Sequence, residues 1–132
     1  MIGLDTNVLL RLVLQDDESQ SQAVNDLIRQ LPEKGPGFIN CITLMEFAWF
    51  LRKRLGVSRD DVSLAIGDLL EASDIEMEDE RLVESALDLM RQTSAEFADI
   101  LIALRNEQAG CRVTMTLDKT AAAAIPGMEL LK

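Results

Sequence analysis

Two short apolar runs in this chain end in aspartate: Ile2-Gly3-Leu4-Asp5 near the start and Val113-Thr114-Met115-Thr116-Leu117-Asp118 near the end. Ligands of open parallel sheets bind beyond the carboxyl ends of the strands. Two central strands of this kind would therefore aim both carboxylates into one crevice. Either aspartate by itself reads as the cap of the helix that follows it; the pair at equivalent strand ends shifts the reading toward a site. Two more acids sit among apolar residues. Glu46 is flanked by Leu44, Met45, Phe47, Ala48, Trp49 and Phe50, although Thr43-Leu44-Met45-Glu46 is also a capping box with Thr43 as N-cap. Asp99 follows Phe97-Ala98 and precedes Ile100-Leu101-Ile102, where a crevice-facing carboxylate and a solvent-facing one are equally compatible with the pattern. A charge among large apolar groups is costly unless paired or bound to a cation. Four ionised carboxylates in one crevice would repel. Mg²⁺, a hard cation that takes oxygen ligands and keeps several waters, relieves that repulsion and can activate water against a phosphodiester.

What the sequence lacks narrows the chemistry further. Histidine is absent, which excludes Ser-His-Asp and Cys-His catalysis. The two cysteines, Cys41 and Cys111, have no CxxC partner, so a zinc site is not expected; beside apolar stretches, both read as small buried thiols. The formal net charge of −10 argues against broad, nonspecific nucleic-acid binding, which runs on Lys and Arg.

The elements that must position these acids can be read from periodicity. A length of 132 residues fits one domain, 1–132, and 48% hydrophobic with 27% charged residues is an ordinary globular composition. No apolar run approaches a membrane span, and Met1-Ile2-Gly3-Leu4-Asp5 lacks the basic start of a signal peptide, so a cytoplasmic location with no membrane contact is expected. The pattern predicts a strand at Ile2-Gly3-Leu4, an apolar helix after Asp5-Thr6-Asn7 and a second helix ending near Pro32. A short strand follows at Phe38-Ile39, then helices over Thr43–Leu55 and from Ser58 to Leu70. After a strand at Ile75–Met77 come helices from Asp79 to Arg91 and from a Ser94 cap to Gly110. A strand from Cys111 to Leu117, a short helix and a last strand at Met128–Leu131 complete the chain. Strands separated by helices imply crossovers and a mainly parallel sheet, hence an α/β fold with a small central sheet covered by helices on both faces.

Four segments in order resemble the PIN-domain ribonucleases, with VapC-type toxins of bacterial toxin–antitoxin pairs as the nearest likeness. They are Leu4-Asp5-Thr6-Asn7-Val8-Leu9-Leu10-Arg11, Leu44-Met45-Glu46-Phe47, Glu96-Phe97-Ala98-Asp99-Ile100-Leu101-Ile102-Ala103 and Thr116-Leu117-Asp118. The resemblance implies a three-layer α/β/α sandwich and makes Asp5, Glu46, Asp99 and Asp118 the catalytic, metal-holding acids; the last of these varies in that family. It implies Asn7 and Thr116 as groups that orient the carboxylates. It further implies Mg²⁺, or Mn²⁺ in its place, a transfer or ribosomal RNA substrate, a small antitoxin protein as partner, and a homodimer.

Arg52, Lys53, Arg54 and Arg59 form the densest basic stretch. Lys53 lies seven residues past Glu46, two turns along nearly the same helix face, so Lys53 and Arg52 are candidate RNA contacts; a solvated helix end is the equally available reading. Trp49 and Phe50 are expected in the core rather than against a base. Two other functions fit parts of the pattern. Haloacid-dehalogenase-type phosphatases also open with a strand ending in aspartate, but they need a second aspartate where this chain has Asn7. A non-catalytic binding module would use the acids only as caps and surface charges.

Overall fold

The computed structural model describes residues 1–132. Strand β1 (Ile2–Gly3) leads into helices α1 (Thr6–Leu14) and α2 (Glu18–Lys34), and strand β2 (Gly37–Ile39) into α3 (Cys41–Lys53) and α4 (Arg59–Glu71). Strand β3 (Ile75–Met77) leads into α5 (Glu80–Gln92) and α6 (Phe97–Gln108), and β4 (Thr114–Thr116) into α7 (Lys119–Ala124) and β5 (Met128–Leu130). Every pairing is parallel, as helical crossovers require. β1, β2 and β3 form one ladder in that order and β4 pairs with β5 in another, so the expected α/β class holds, helix-rich with small parallel sheets. The hydrogen-bonded sheet is split in two rather than continuous, with strands of only two or three residues. Single bonds lengthen the first ladder: Leu4 donates its N–H to the Phe38 carbonyl at 2.8 Å and Glu78 to that of Ile39 at 2.9 Å. The start of β2 is tight: a Cβ on Gly37 would lie 3.0 Å from Leu4 Cδ1 and 3.1 Å from Leu31 Cδ1, so both leucines would have to shift to admit a larger residue.

Strands this short cannot supply the core, so the helices do. Leu44, Phe47 and Leu51 of α3, Val62 and Ile66 of α4, Met90 of α5, and Phe97, Ile100 and Leu101 of α6 are essentially inaccessible to water. Helix α6 packs against both α3 and α5, and α1 packs against α3. No helix is long and apolar enough to cross a membrane.

Each of the first four strands is followed within two residues by a side chain that caps the next helix. Asp5 accepts from the Thr6 N–H at 2.7 Å, Asn40 from Thr43 at 2.8 Å, Asp79 from Leu82 at 3.1 Å and Asp118 from Ala121 at 3.0 Å. This corrects the sequence reading of α3: its N-cap is Asn40, and Thr43, read as the cap, supplies the N–H that Asn40 receives. Ser94 is likewise not the cap of α6. Glu96 holds that position without a cap bond, because its carboxylate is taken by Arg52. Pro32 does not end α2, which continues to Lys34; one missing donor near the end of a long helix is not enough to break it. Helix α3 stops where expected, with Gly56 at φ +65°, a left-handed conformation that suits glycine. The strand expected over Cys111 to Leu117 shrinks to Thr114–Thr116, and of the two cysteines only Cys41 is buried. Burial, then the neighbouring Glu78 carboxylate, pushes the Cys41 thiol above its ordinary pKa.

The cap assignment has a direct check. Asn40→Ala should lower unfolding free energy by about 1 kcal/mol, and Thr43→Ala by clearly less, in paired denaturant titrations.

Candidate active site

The cleft with the most chemistry lies between the last two turns of α3 and the start of α6. Its lining comprises Ala48, Trp49, Arg52 and Lys53 from α3, Glu96, Phe97, Ala98 and Asp99 around the start of α6, and Asp118 from the end of β4. The packing of α3 on α6 sets its width: Phe47 and Phe97 are both fully buried, and their neighbours Ala48 and Ala98 line the cleft floor.

Asp99 and Asp118 are thus brought together, whereas the strand-end argument paired Asp118 with Asp5, which is not among the residues lining this cleft. Asp99 is half-buried, and its pKa is raised, first by burial and then by the negative charges of Asp118 and Glu96, while Lys53 pulls it down. Asp118 uses Oδ1 to cap α7, leaving Oδ2 free of that duty; a carboxylate has room for about four such bonds. Thr116, expected to orient a carboxylate, accepts the Asp118 backbone N–H through its hydroxyl at 3.0 Å and so fixes the turn carrying that acid.

Asp5 and Glu46 do not line this cleft. Asp5 is exposed at the end of β1, with Oδ1 on the Thr6 N–H, and Asn7 is exposed in the first turn of α1. Glu46 is also exposed, so the burial cost expected from its apolar neighbours does not arise. Leu44, Phe47 and Ala48 face inward, while Glu46 shares the outer stripe of α3 with Trp49 and Lys53, three and seven residues on. No three of the chain's carboxylates and thiols stand close enough to form a ready-made metal cage.

Of the two candidate RNA contacts, Lys53 is exposed, with only its attraction to acids to hold it. Arg52 is engaged: its Nε and Nη2 donate to Glu96 at 2.8 and 2.7 Å, and its Nη1 to the Val57 carbonyl at 3.0 Å. That fork holds the Glu96 carboxyl below its ordinary pKa and tethers the start of α6 to the end of α3. Arg59 secures the same junction from the other side, its Nη2 donating to the carbonyls of Met90, Thr93 and Ala95 at 2.7, 3.1 and 2.6 Å. The sequence reading missed this junction. The only available signal was Glu96 three residues ahead of Asp99, with Arg52 and Arg59 on either side of the α3–α4 turn. Trp49 departs from expectation in the other direction: it lies at the surface and lines the cleft, while Phe50 is partly buried against the core.

With Arg52 and Glu96 neutralising one another, Lys53 faces Asp99 and Asp118. Three acids against two cations leave the lining at a net charge of −1. A cleft of that sign repels a phosphodiester until a cation enters.

A model of the PIN domain family matches residues 2–125. The chain belongs to the PIN domain family. No curated protein and no solved structure matches it. PIN domains are generally nucleases, so membership suggests a nuclease-type fold.

Two of the three cleft acids of this PIN domain, Asp99 and Glu96, should affect stability with opposite signs. Asp99 has a raised folded-state pKa, so its ionisation works against the fold as pH rises through the window between the ordinary and the raised value. Asp99→Asn should therefore raise Tm in metal-free buffer at neutral pH, and the gain should vanish on acidification. Glu96 has a lowered folded-state pKa, so its contribution is present above the ordinary carboxyl range and lost as pH falls through the folded value. Glu96→Gln should cost about 1–2 kcal/mol at neutral pH, allowing for solvent screening of a partly exposed pair, with the difference fading in acid. Thermal melts of both variants across pH 3–8 would check the two signs together.

Proposed function

We propose that the protein is a Mg²⁺-dependent endoribonuclease, with Asp99 and Asp118 as the metal-holding acids of the cleft; the family resemblance adds Asp5 and Glu46, which stand outside the cleft lining. The observation that carries this reading is the half-buried Asp99, destabilised by Asp118 and Glu96 and only partly offset by Lys53. A divalent cation is the partner this arrangement lacks. The donor set suits Mg²⁺, which binds through one or two carboxylates plus waters and substrate phosphates and needs no all-protein cage. Bound there, Mg²⁺ (or Mn²⁺) polarises a phosphodiester and lowers the pKa of water.

The remaining work falls to the chain itself. Asp99 and the free Oδ2 of Asp118 hold the cation, while the Arg52–Glu96 fork and the Arg59 bonds keep Asp99 in place. Lys53 receives a phosphate oxygen at the mouth of the cleft. A divalent ion turns the lining from net negative to net positive, which is how an acidic protein can take an anionic polymer. The VapC resemblance extends the proposal to a cytoplasmic toxin of a type II toxin–antitoxin pair, homodimeric, cutting transfer or ribosomal RNA and held in check by a small antitoxin.

Cleavage of a mixed transfer and ribosomal RNA substrate should require Mg²⁺ or Mn²⁺, stop with EDTA, and fall at least about 100-fold in Asp5→Asn and Asp99→Asn. Both variants should keep the fold: asparagine also caps at position 5, and Asp99 lies inside the first turn of α6 without serving as its cap. Undiminished cleavage in folded Asp99→Asn would remove the proposed site. No cleavage of any RNA by the wild type would leave a non-catalytic binding module of the PIN family.

A further inference from the structure

Trp49 is the only tryptophan in the chain, and 44% of its surface is exposed. An indole is a large apolar group whose burial is ordinarily favourable, yet this one stands at the wall of the cleft that holds Asp99 and Asp118. Two cations flank it at a cleft whose lining is net negative. The Arg54 guanidinium lies 5.8 Å from the ring centroid, backing one face. Lys53, one turn further along α3, lines the same cleft. A flat π surface flanked by two cations, next to paired carboxylates, matches one kind of ligand well: a nucleotide, whose base stacks while its phosphates meet the cations.

We propose that Trp49 is the stacking platform for an unpaired base beside the phosphate to be cut, with Lys53 on a neighbouring phosphate. The substrate class is then RNA with an unstacked nucleotide, a loop or single strand. Bases inside a continuous duplex have both faces covered and are not available to an aromatic side chain. The proposal rests on the endoribonuclease reading for its substrate, and its test is independent of cleavage.

Because Trp49 is the sole indole, intrinsic fluorescence reports on it alone. The wild-type protein is titrated at low salt, in EDTA and again with Ca²⁺, with a single-stranded 12-nucleotide oligouridine and with a fully paired RNA duplex of the same length. Saturable quenching by the single strand and little by the duplex is expected. With end-labelled oligouridine followed by polarisation, Trp49→Ala should weaken binding by roughly 5- to 150-fold, the range for loss of one base–aromatic stack. Trp49→Phe should restore most of it, which a loss of fold would not allow. Lys53→Gln should weaken binding and flatten the salt dependence by about 0.7 in log–log slope, one phosphate contact to a single strand. No quenching in either buffer, equal quenching by the duplex, or equal affinity of wild type and Trp49→Ala would each overturn the stacking role. Metal-dependent cleavage in the absence of quenching would overturn it while sparing the endoribonuclease reading; quenching without any cleavage would support it and sink the other.

Discussion

The fold turns on what happens where a very short parallel strand stops. Each of β1 to β4 has at most three residues, and within two residues the chain must start a helix whose first N–H groups have no partner of their own. Asp5, Asn40, Asp79 and Asp118 meet that need with side-chain oxygens. Parallel strands all end on the same side of their sheet, so the requirement collects polar acceptors there by local folding alone. Chemistry then has only to recruit some of them. Asp118 meets Asp99 in the cleft, whereas Asp79 turns its other oxygen to Gln108 and serves structure.

A second constraint keeps the cleft from closing on its own charges. Asp99 reaches the cleft from the first turn of α6, and the linker into that helix is fastened by two arginines rather than by a cap. Arg52 grips Glu96 as a fork, and Arg59 binds three carbonyls at the end of α5 and the linker, much as cations do at helix C-termini. These two arginines come from the basic stretch that looked most suited to substrate. Exposure separates the roles: Arg52 and Arg59 are drawn inward, and Lys53 and Arg54 remain outside.

Periodicity revealed most of the architecture because the helices carry the core. In α5 the buried residues are those the spacing selects, whereas α4 also buries Ser63 and leaves Ala65 and Leu70 partly exposed, and α6 buries Ala103 more fully than Leu104. Parallel pairing followed from the alternation of strand and helix. Boundaries were harder where two capping residues compete, as at Asn40 and Thr43, because both are good acceptors and only the backbone decides between them. At the site, Asp99 and Asp118 were visible as acids in unusual company, and Thr116 through the PIN resemblance. The Glu96 junction was not, because it joins Arg52 to Glu96 across 44 residues and Arg59 to Met90, Thr93 and Ala95 across 31, 34 and 36. Trp49 misled because an aromatic between Phe47 and Phe50 looks like core, and a helix this hydrophobic on several sides gives a weak signal of which side faces water.

The double duty of Asp118 limits how this protein can vary. One oxygen starts a helix of only six residues that leads directly into β5, and the other looks toward the cleft. Local folding alone confines that position to a handful of short polar side chains, before any selection for catalysis acts. A replacement there that cannot cap would loosen the α7–β5 segment along with the cleft wall, so the two cannot vary independently.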